Sequence, residues 1–321
     1  MINRLIIHGG LHKTGSTAFQ KLLAERRGTL DAHGWVVLDD TLLSRSNLFF
    51  GSAHSYFEDG ELGSVCFRDH GVFGLLDGKN VLVSCESVAW MNSADEFDSL
   101  AVLLNNSKRV EFVFCRRHPF DLMGSLFQEA SKNLAKPENQ MMNFSNSFYP
   151  SLLPRAFDYL GFATRVNLIL QVCPTAIIHS VPWSFNVIRS MFALVFDSGS
   201  AISEFDFDTR VNTSVSRAEQ LIGHLCNRSQ IGNRALRLEA LARYRETKAF
   251  RSYAHIPVGF AKDSIDGFWD AWCQHDRWGE SRIWSKKYLE QGEDISEEEL
   301  CAAADCVDRI SSLESRNLGR T

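Results

Sequence analysis

Leu5-Ile6-Ile7-His8-Gly9-Gly10-Leu11-His12-Lys13-Thr14-Gly15-Ser16-Thr17 reads as a strand, a glycine turn and the first turn of a helix. The apolar run ending at Gly9-Gly10 has the character of a strand buried on both faces, as parallel strands are. From Ser16 to Arg27, Phe19, Leu22 and Leu23 recur at helical spacing. Outward from this opening, Trp35–Leu38, Val81–Cys85, Val110–Cys115 and Thr175–Ser180 are further short apolar runs with strand character. Helical segments are expected near 94–105, from Pro119 to about Lys132, near 152–172 and from Ser184 to Phe196. Pro119 suits a first helical turn through its fixed φ and missing N–H. From 217 onward the chain reads as mostly helical, and Ser296-Glu297-Glu298-Glu299 is a capping box that starts the last helix. Strands alternating with helices predict an α/β fold in three layers, a central parallel sheet flanked by helices, with a helical C-terminal region. No repeat or low-complexity linker divides the chain, so residues 1–321 are expected to form one domain.

Composition narrows the function. The 321 residues carry a net charge of −5, which implies no general affinity for nucleic acid or an anionic membrane. The eight cysteines form no C-x-x-C pair and no metal-ligand spacing, and suit reduced thiols. No apolar run is long enough to span a bilayer, and Met1-Ile2-Asn3-Arg4 leads straight into a strand with no leader pattern. A cytoplasmic protein with no integral membrane segment and no bound metal is expected.

The chemistry concentrates in the first loop. Glycines let successive backbone N–H groups turn toward one anion, and the helix N-terminus adds its positive end. Ser16 and Thr17 supply hydroxyl donors. Gly10 and Gly15 have the spacing of a G-x-x-x-x-G-K-[ST] nucleotide loop, yet Ser16 stands in the lysine's place and the lysine is Lys13, inside the loop. From there it can reach the bridging oxygen between a 5′-phosphate and its transferred group. The plainer alternative is a glycine turn with an incidental lysine.

A second cationic feature follows the strand at 110–115. Arg116-Arg117-His118-Pro119 closes that strand, and Ser125 lies eight residues after Arg117 on the next helix. An arginine fork and a hydroxyl two turns along could hold one phosphate. Equally, they could be a basic helix N-terminus and a small buried serine.

Taken together, these loops resemble those of the sulfotransferases that use 3′-phosphoadenosine-5′-phosphosulfate (PAPS), particularly their bacterial carbohydrate-type branch. His8-x-Gly10-x-His12-Lys13-Thr14-Gly15-Ser16-Thr17, followed by Gln20, is similar to the family's 5′-phosphosulfate loop. Arg117 and Ser125 match its 3′-phosphate motif, with His118 where the family more often has Asn. The resemblance covers residues 4–27 and 79–130 and is loose elsewhere. It implies a P-loop NTPase-like sulfotransferase fold and transfer of a sulfuryl group from PAPS to an acceptor hydroxyl or amine without a metal. It implies that Lys13 contacts the 5′-phosphate and bridging oxygen, that Thr14, Gly15, Ser16 and Thr17 hold the 5′-phosphate, and that Arg117 and Ser125 hold the 3′-phosphate.

Glu86 follows the run 81–85 at the strand's C-terminal edge, where α/β ligands bind, and is the first candidate for the general base. A capping or ion-paired glutamate is the alternative, and His12 and His8 are the other candidate bases. In Arg210-Val211-Asn212-Thr213-Ser214-Val215-Ser216, either Ser214 or Ser216 suits the N-cap of the following helix. The resemblance instead implies a lid in which Arg210 and Asn212 touch the nucleotide. Trp269, Trp272 and Trp278 have the spacing of helix packing more than of sugar stacking. The segments 40–75 and 133–150 are expected to shape the acceptor site, for a carbohydrate, glycolipid or small metabolite. The competing reading of the first loop is a P-loop kinase or other phosphotransferase, disfavoured by the missing Gly-Lys-Ser. A binding protein that only keeps the nucleotide is a third.

Overall fold

The computed structural model describes residues 1–10, 15–38, 49–50, 67–68, 76–85, 88–89, 91, 94, 97, 100–132, 142–143, 151–152, 162–182, 187–196, 216–250, 270 and 296–318. In chain order these contain β1 (Arg4–His8), α1 (Ser16–Glu25), α2 (Arg27–Ala32), β2 (Trp35–Leu38), β3 (Phe49–Phe50), β4 (Phe67–Arg68), β5 (Asn80–Ser84), α3 (Ala101–Asn105) and β6 (Val110–Arg116). There follow α4 (Pro119–Ala130), β7 (Met142–Asn143), β8 (Ser151–Leu152), α5 (Phe162–Val172), β9 (Ile177–Pro182), α6 (Val187–Val195), α7 (Arg217–Arg228), α8 (Arg234–Arg245) and α9 (Glu297–Leu318).

Five of the strands form one sheet in the order β2-β5-β1-β6-β9, and every pairing is parallel. The strand alternation sorts their side chains to two faces. Leu5, Ile7, Val81, Val83, Phe112 and Phe114 pack on one face with residues of α3 and α5, including Leu103 and Ile169. Ile6, Leu82, Val113 and Cys115 pack on the other with Phe19 and Leu22 of α1 and Phe192 of α6. Helices therefore cover both faces, which is why all five residues of β1 are buried and why the run 5–7 is unbrokenly apolar. The three-layer α/β architecture expected from the sequence is the one observed.

From central β1 the chain crosses by α1 and α2 to β2 at one edge. From β6 it advances the other way, over the opposite face by α5, to β9. Reversing both direction and face keeps one hand of crossover.

Contacts divide the chain into two compact units, Met1–His118 with Asp158–Asn212, and Pro119–Phe157 with Thr213–Thr321. The first holds the sheet. In the second, α7, α8 and α9 share a core that includes Leu221, Leu225, Leu241, Tyr244, Val307 and Ile310. Arg237 ties α8 to the end of α4, its Nη1 donating to the Ser131 carbonyl at 3.0 Å and its Nε to that of Ile231 at 2.8 Å.

Some boundaries moved. The helix expected over 16–27 stops at Glu25, and Arg26, at φ −105 and ψ 13, separates it from α2. Leu152, expected near the start of a helix, pairs antiparallel with Met142 as Ser151 does with Asn143, and the described helix is Phe162–Val172. At the opposite end of the sheet from the strand C-termini, buried Glu111 pairs with Arg4, with Arg109 at 2.8 Å and with His179 at 2.6 Å. Burial pushes its carboxyl up, but the hydrogen bonds from Arg4 and His179 and the charges of Arg4 and Arg109 outweigh that and hold it below the usual range. Among the described residues six cysteines are free thiols, and no helix is long and apolar enough to cross a membrane.

Candidate functional site

β5, β1 and β6 end side by side at Ser84, His8 and Arg116. In open parallel sheets ligands bind outside the strand C-termini, where the strand order reverses, and β1 occupies that place here. Gly9 and Gly10 leave it with no room for side chains. A Cβ on Gly9 would lie 2.8 Å from Val88 Cγ1 and 2.9 Å from Phe114 Cε1. A Cβ on Gly10 would lie 2.5 Å from Ser16 Oγ and 2.7 Å from His8 Nε2. Gly15 closes the loop in the left-handed region, at φ +96, as the N-cap of α1.

The N-terminus of α1 has no side-chain cap among the described residues. Gly15 has no side chain to cap it, and the first turn holds no acidic residue. The first bond along the helix runs from Phe19 N–H to the Gly15 carbonyl at 3.0 Å, so the N–H groups of residues 16 to 18 have no acceptor within the helix. Two buried side-chain atoms beside them, Ser16 Oγ and His8 Nε2, have no hydrogen-bond partner among the described residues. His8 is 0% exposed and Ser16 2%. The other ring nitrogen of His8, Nδ1, lies 2.9 Å from Ser84 Oγ at the end of β5. Phe19 meets the ring edge-on at 4.8 Å between centroids. Burial pulls the His8 pKa down to about 4, so the ring is neutral at pH 7. An uncapped helix end, a glycine turn and two orphaned polar atoms together suit one oxyanion.

Of the residues singled out from the sequence, Gly15, Ser16 and Thr17 stand at this helix end, Ser16 buried and Thr17 exposed. His12, Lys13 and Thr14 lie outside the described residues, as do Glu86, Arg210 and Asn212. Cys85, just before Glu86, donates its N–H to the His8 carbonyl at 3.0 Å. Arg117 is half-buried just past β6, in the first unit. Its neighbour Arg116 places its guanidinium 5.2 Å from the centroid of Phe162. Ser125 belongs to α4 in the second unit, and its hydroxyl donates to the Asp121 carbonyl at 3.0 Å. That hydroxyl would have to leave its own helix's carbonyl to serve a phosphate. Ser216, one of the two cap candidates, is the N-cap of α7. Of the segments 40–75 and 133–150 and the tryptophan-rich stretch 268–284, only residues 49–50, 67–68, 142–143 and 270 are described.

Ser84 was not singled out from the sequence. Its link to His8 follows from the parallel register that sets His8 beside Ser84 across β1 and β5. Gln20 adds a long contact from α1 to the Ser84 carbonyl, at 3.5 Å. Among the described residues no group of three or more His, Cys, Asp or Glu side chains is placed to hold a metal ion.

Fold and site define an α/β protein with a glycine turn and a helix N-terminus that suit an anion at the C-terminal edge of a parallel sheet. No protein-family model matches the chain. No curated protein is similar to it in sequence. Among solved structures, a sulfotransferase from Alicyclobacillus acidocaldarius is similar at 12% identity and a TM-score of 0.38, over 75% of this chain and 96% of that chain. The fold assignment rests on strand order and register.

Proposed function

We propose that the protein is a sulfotransferase that moves the sulfuryl group of PAPS to a hydroxyl or amine of an acceptor, in the cytoplasm, with residues 1–321 acting as one sulfotransferase domain. What supports this most is the end of α1, where Gly10 leaves no room for a Cβ and the buried Ser16 Oγ lacks a hydrogen-bond partner among the described residues. A 5′-phosphosulfate would satisfy those donors. Lys13 then neutralises charge on the leaving bridging oxygen, and Thr14, Gly15, Ser16 and Thr17 hold the phosphate. Arg117 and Ser125 take the 3′-phosphate, and Arg210 and Asn212 close over the nucleotide. Bound PAPS supplies the sulfuryl group for an in-line displacement with a loose transition state, so charge and alignment do most of the work. Glu86 takes the acceptor's proton, with His12 as the other candidate at the loop. The acceptor class is a carbohydrate, glycolipid or small metabolite, and no metal is required.

Adenosine 3′,5′-bisphosphate should raise the melting temperature, and AMP far less. Equal shifts from the two would remove the 3′-phosphate assignment, and no shift from either would remove PAPS. A screen of acceptor pools with labelled PAPS then identifies the acceptor.

A further inference from the structure

We propose that His8 is a ligand of the loop-bound anion and not a proton acceptor: its neutral ring presents Nε2–H beside Ser16 Oγ–H to one oxygen of the 5′-phosphosulfate, and Ser84 fixes the tautomer. This deepens the PAPS reading of the same loop and rests on it.

Hydrogen counting assigns the tautomer. If Nδ1 carried the proton, it would donate to Ser84 Oγ across the 2.9 Å contact. The Ser84 hydroxyl hydrogen would then have no acceptor among the described residues, and Nε2 would be a bare lone pair. If Ser84 donates to Nδ1 instead, its hydrogen is used, and the single group left over is Nε2–H. A buried donor without an acceptor is costly, so one is better tolerated than an orphaned hydroxyl hydrogen together with an orphaned lone pair. Ser84 is itself 0% exposed, so water does not relieve it.

The remaining donor points at the loop. His8 Nε2 and Ser16 Oγ lie 2.7 and 2.5 Å from where a Cβ on Gly10 would stand, so both crowd the same turn of backbone. Ser16 is also the first residue of α1, whose N–H groups face the same end. Two orphaned side-chain donors on an uncapped helix end are the complement of an anion oxygen. A base, by contrast, must hand its proton onward and needs a pKa near the working pH. His8 has no exposed surface and burial holds it near 4, which suits a fixed neutral donor from about pH 5 upward.

The test begins on the wild-type protein with 15N-labelled histidine. The expected His8 signal is that of an Nε2–H, Nδ1-unprotonated ring, and an Nδ1–H ring overturns the inference. Adenosine 3′,5′-bisphosphate and, separately, inorganic pyrophosphate should each move the Nε2–H resonance. His8→Phe keeps the ring packing and should weaken adenosine 3′,5′-bisphosphate by about tenfold, while adenosine 3′-monophosphate, lacking the 5′-phosphate, binds as before. Ser84→Ala frees the tautomer and should weaken the bisphosphate in the same direction, which keeps the test open if His8→Phe does not fold. Unchanged bisphosphate affinity in both variants overturns the role of His8 and leaves the PAPS reading standing. A wild type that ignores the bisphosphate but whose His8 signal moves with pyrophosphate overturns the PAPS reading and leaves His8 an anion ligand. No movement with either probe overturns the inference itself.

Discussion

Helices α7, α8 and α9 of the second unit close their own N-termini with a side chain, and α1 has no side-chain cap. At α7, Ser216 Oγ accepts the Glu219 N–H at 3.3 Å and the Glu219 carboxylate accepts the Ser216 N–H at 2.8 Å. At α9, Ser296 and Glu299 make the same exchange, both bonds at 3.2 Å. At α8, Asn233 Oδ1 accepts the Ala235 N–H at 2.9 Å. Each of these ends brings an oxygen to its orphaned donors, and two also bring acidic charge to the positive pole. The end of α1 has glycine at the cap, no acid in its first turn and a buried hydroxyl with no partner among the described residues. A missing side-chain cap is not peculiar to α1, since Arg26 before α2 and Leu100 before α3 supply none either; what sets α1 apart is the pairing of that end with buried Ser16 Oγ and His8 Nε2, which have no hydrogen-bond partner among the described residues.

The largest expected effect lies on the self-capped side. Glu299 caps α9 and also receives Arg217 through Nε and Nη2, both at 2.9 Å, with the two residues 1% and 3% exposed. Glu299→Ala leaves the Arg217 charge buried without its carboxylate and should cost about 3–5 kcal/mol of stability in urea denaturation. A loss under about 1 kcal/mol would mean that this end contributes no more than a surface cap.

The α1 end has a different signature, in acid. As pH falls through 6.5 an unfolded His8 takes up a proton, while the folded ring resists until about 4. The unfolded state binds more protons in that window, so stability declines there, by on the order of 3 kcal/mol. Glu111 and Glu219 are both held below the usual carboxylate range. They lose their stabilising contribution only below about pH 4.5. A stability profile against pH should therefore fall between 6.5 and 4.5, and His8→Phe should flatten that interval. A slope that survives the substitution would place its source at another histidine.

How far each end was legible depended on whether its partners are local. The capping box at Ser296 is contained in four residues, and the structure reproduces it. The run Leu5–Ile7 and the glycines after it also announce a buried strand and a tight turn, because parallel strands covered on both faces leave an apolar signature. The hydrogen-bond partner of His8 was not legible, since Ser84 lies 76 residues away and meets it only through the pairing of β1 with β5. Spacing set Ser125 eight residues after Arg117, but could not show that its hydroxyl turns back to Asp121. Leu152 misled for the same reason: its strand partner, Met142, is fixed by pairing and not by periodicity.

The smallest effect separates the two kinds of helix end by sign. Ser216→Ala removes a working cap from α7 and should cost about 1 kcal/mol. Ser16→Ala removes a hydroxyl that is 2% exposed and lacks a partner among the described residues. An unsatisfied buried hydroxyl is a burden on the free protein, so its loss should leave stability unchanged or raise it by up to about 1 kcal/mol. If Ser16 holds the 5′-phosphate as proposed, the same substitution should weaken adenosine 3′,5′-bisphosphate by about fivefold. Paired thermal melts with and without the bisphosphate read both quantities. If Ser16→Ala destabilises the free protein as Ser216→Ala does, its hydroxyl already has an acceptor within the chain, and α1 is another helix that closes its own end.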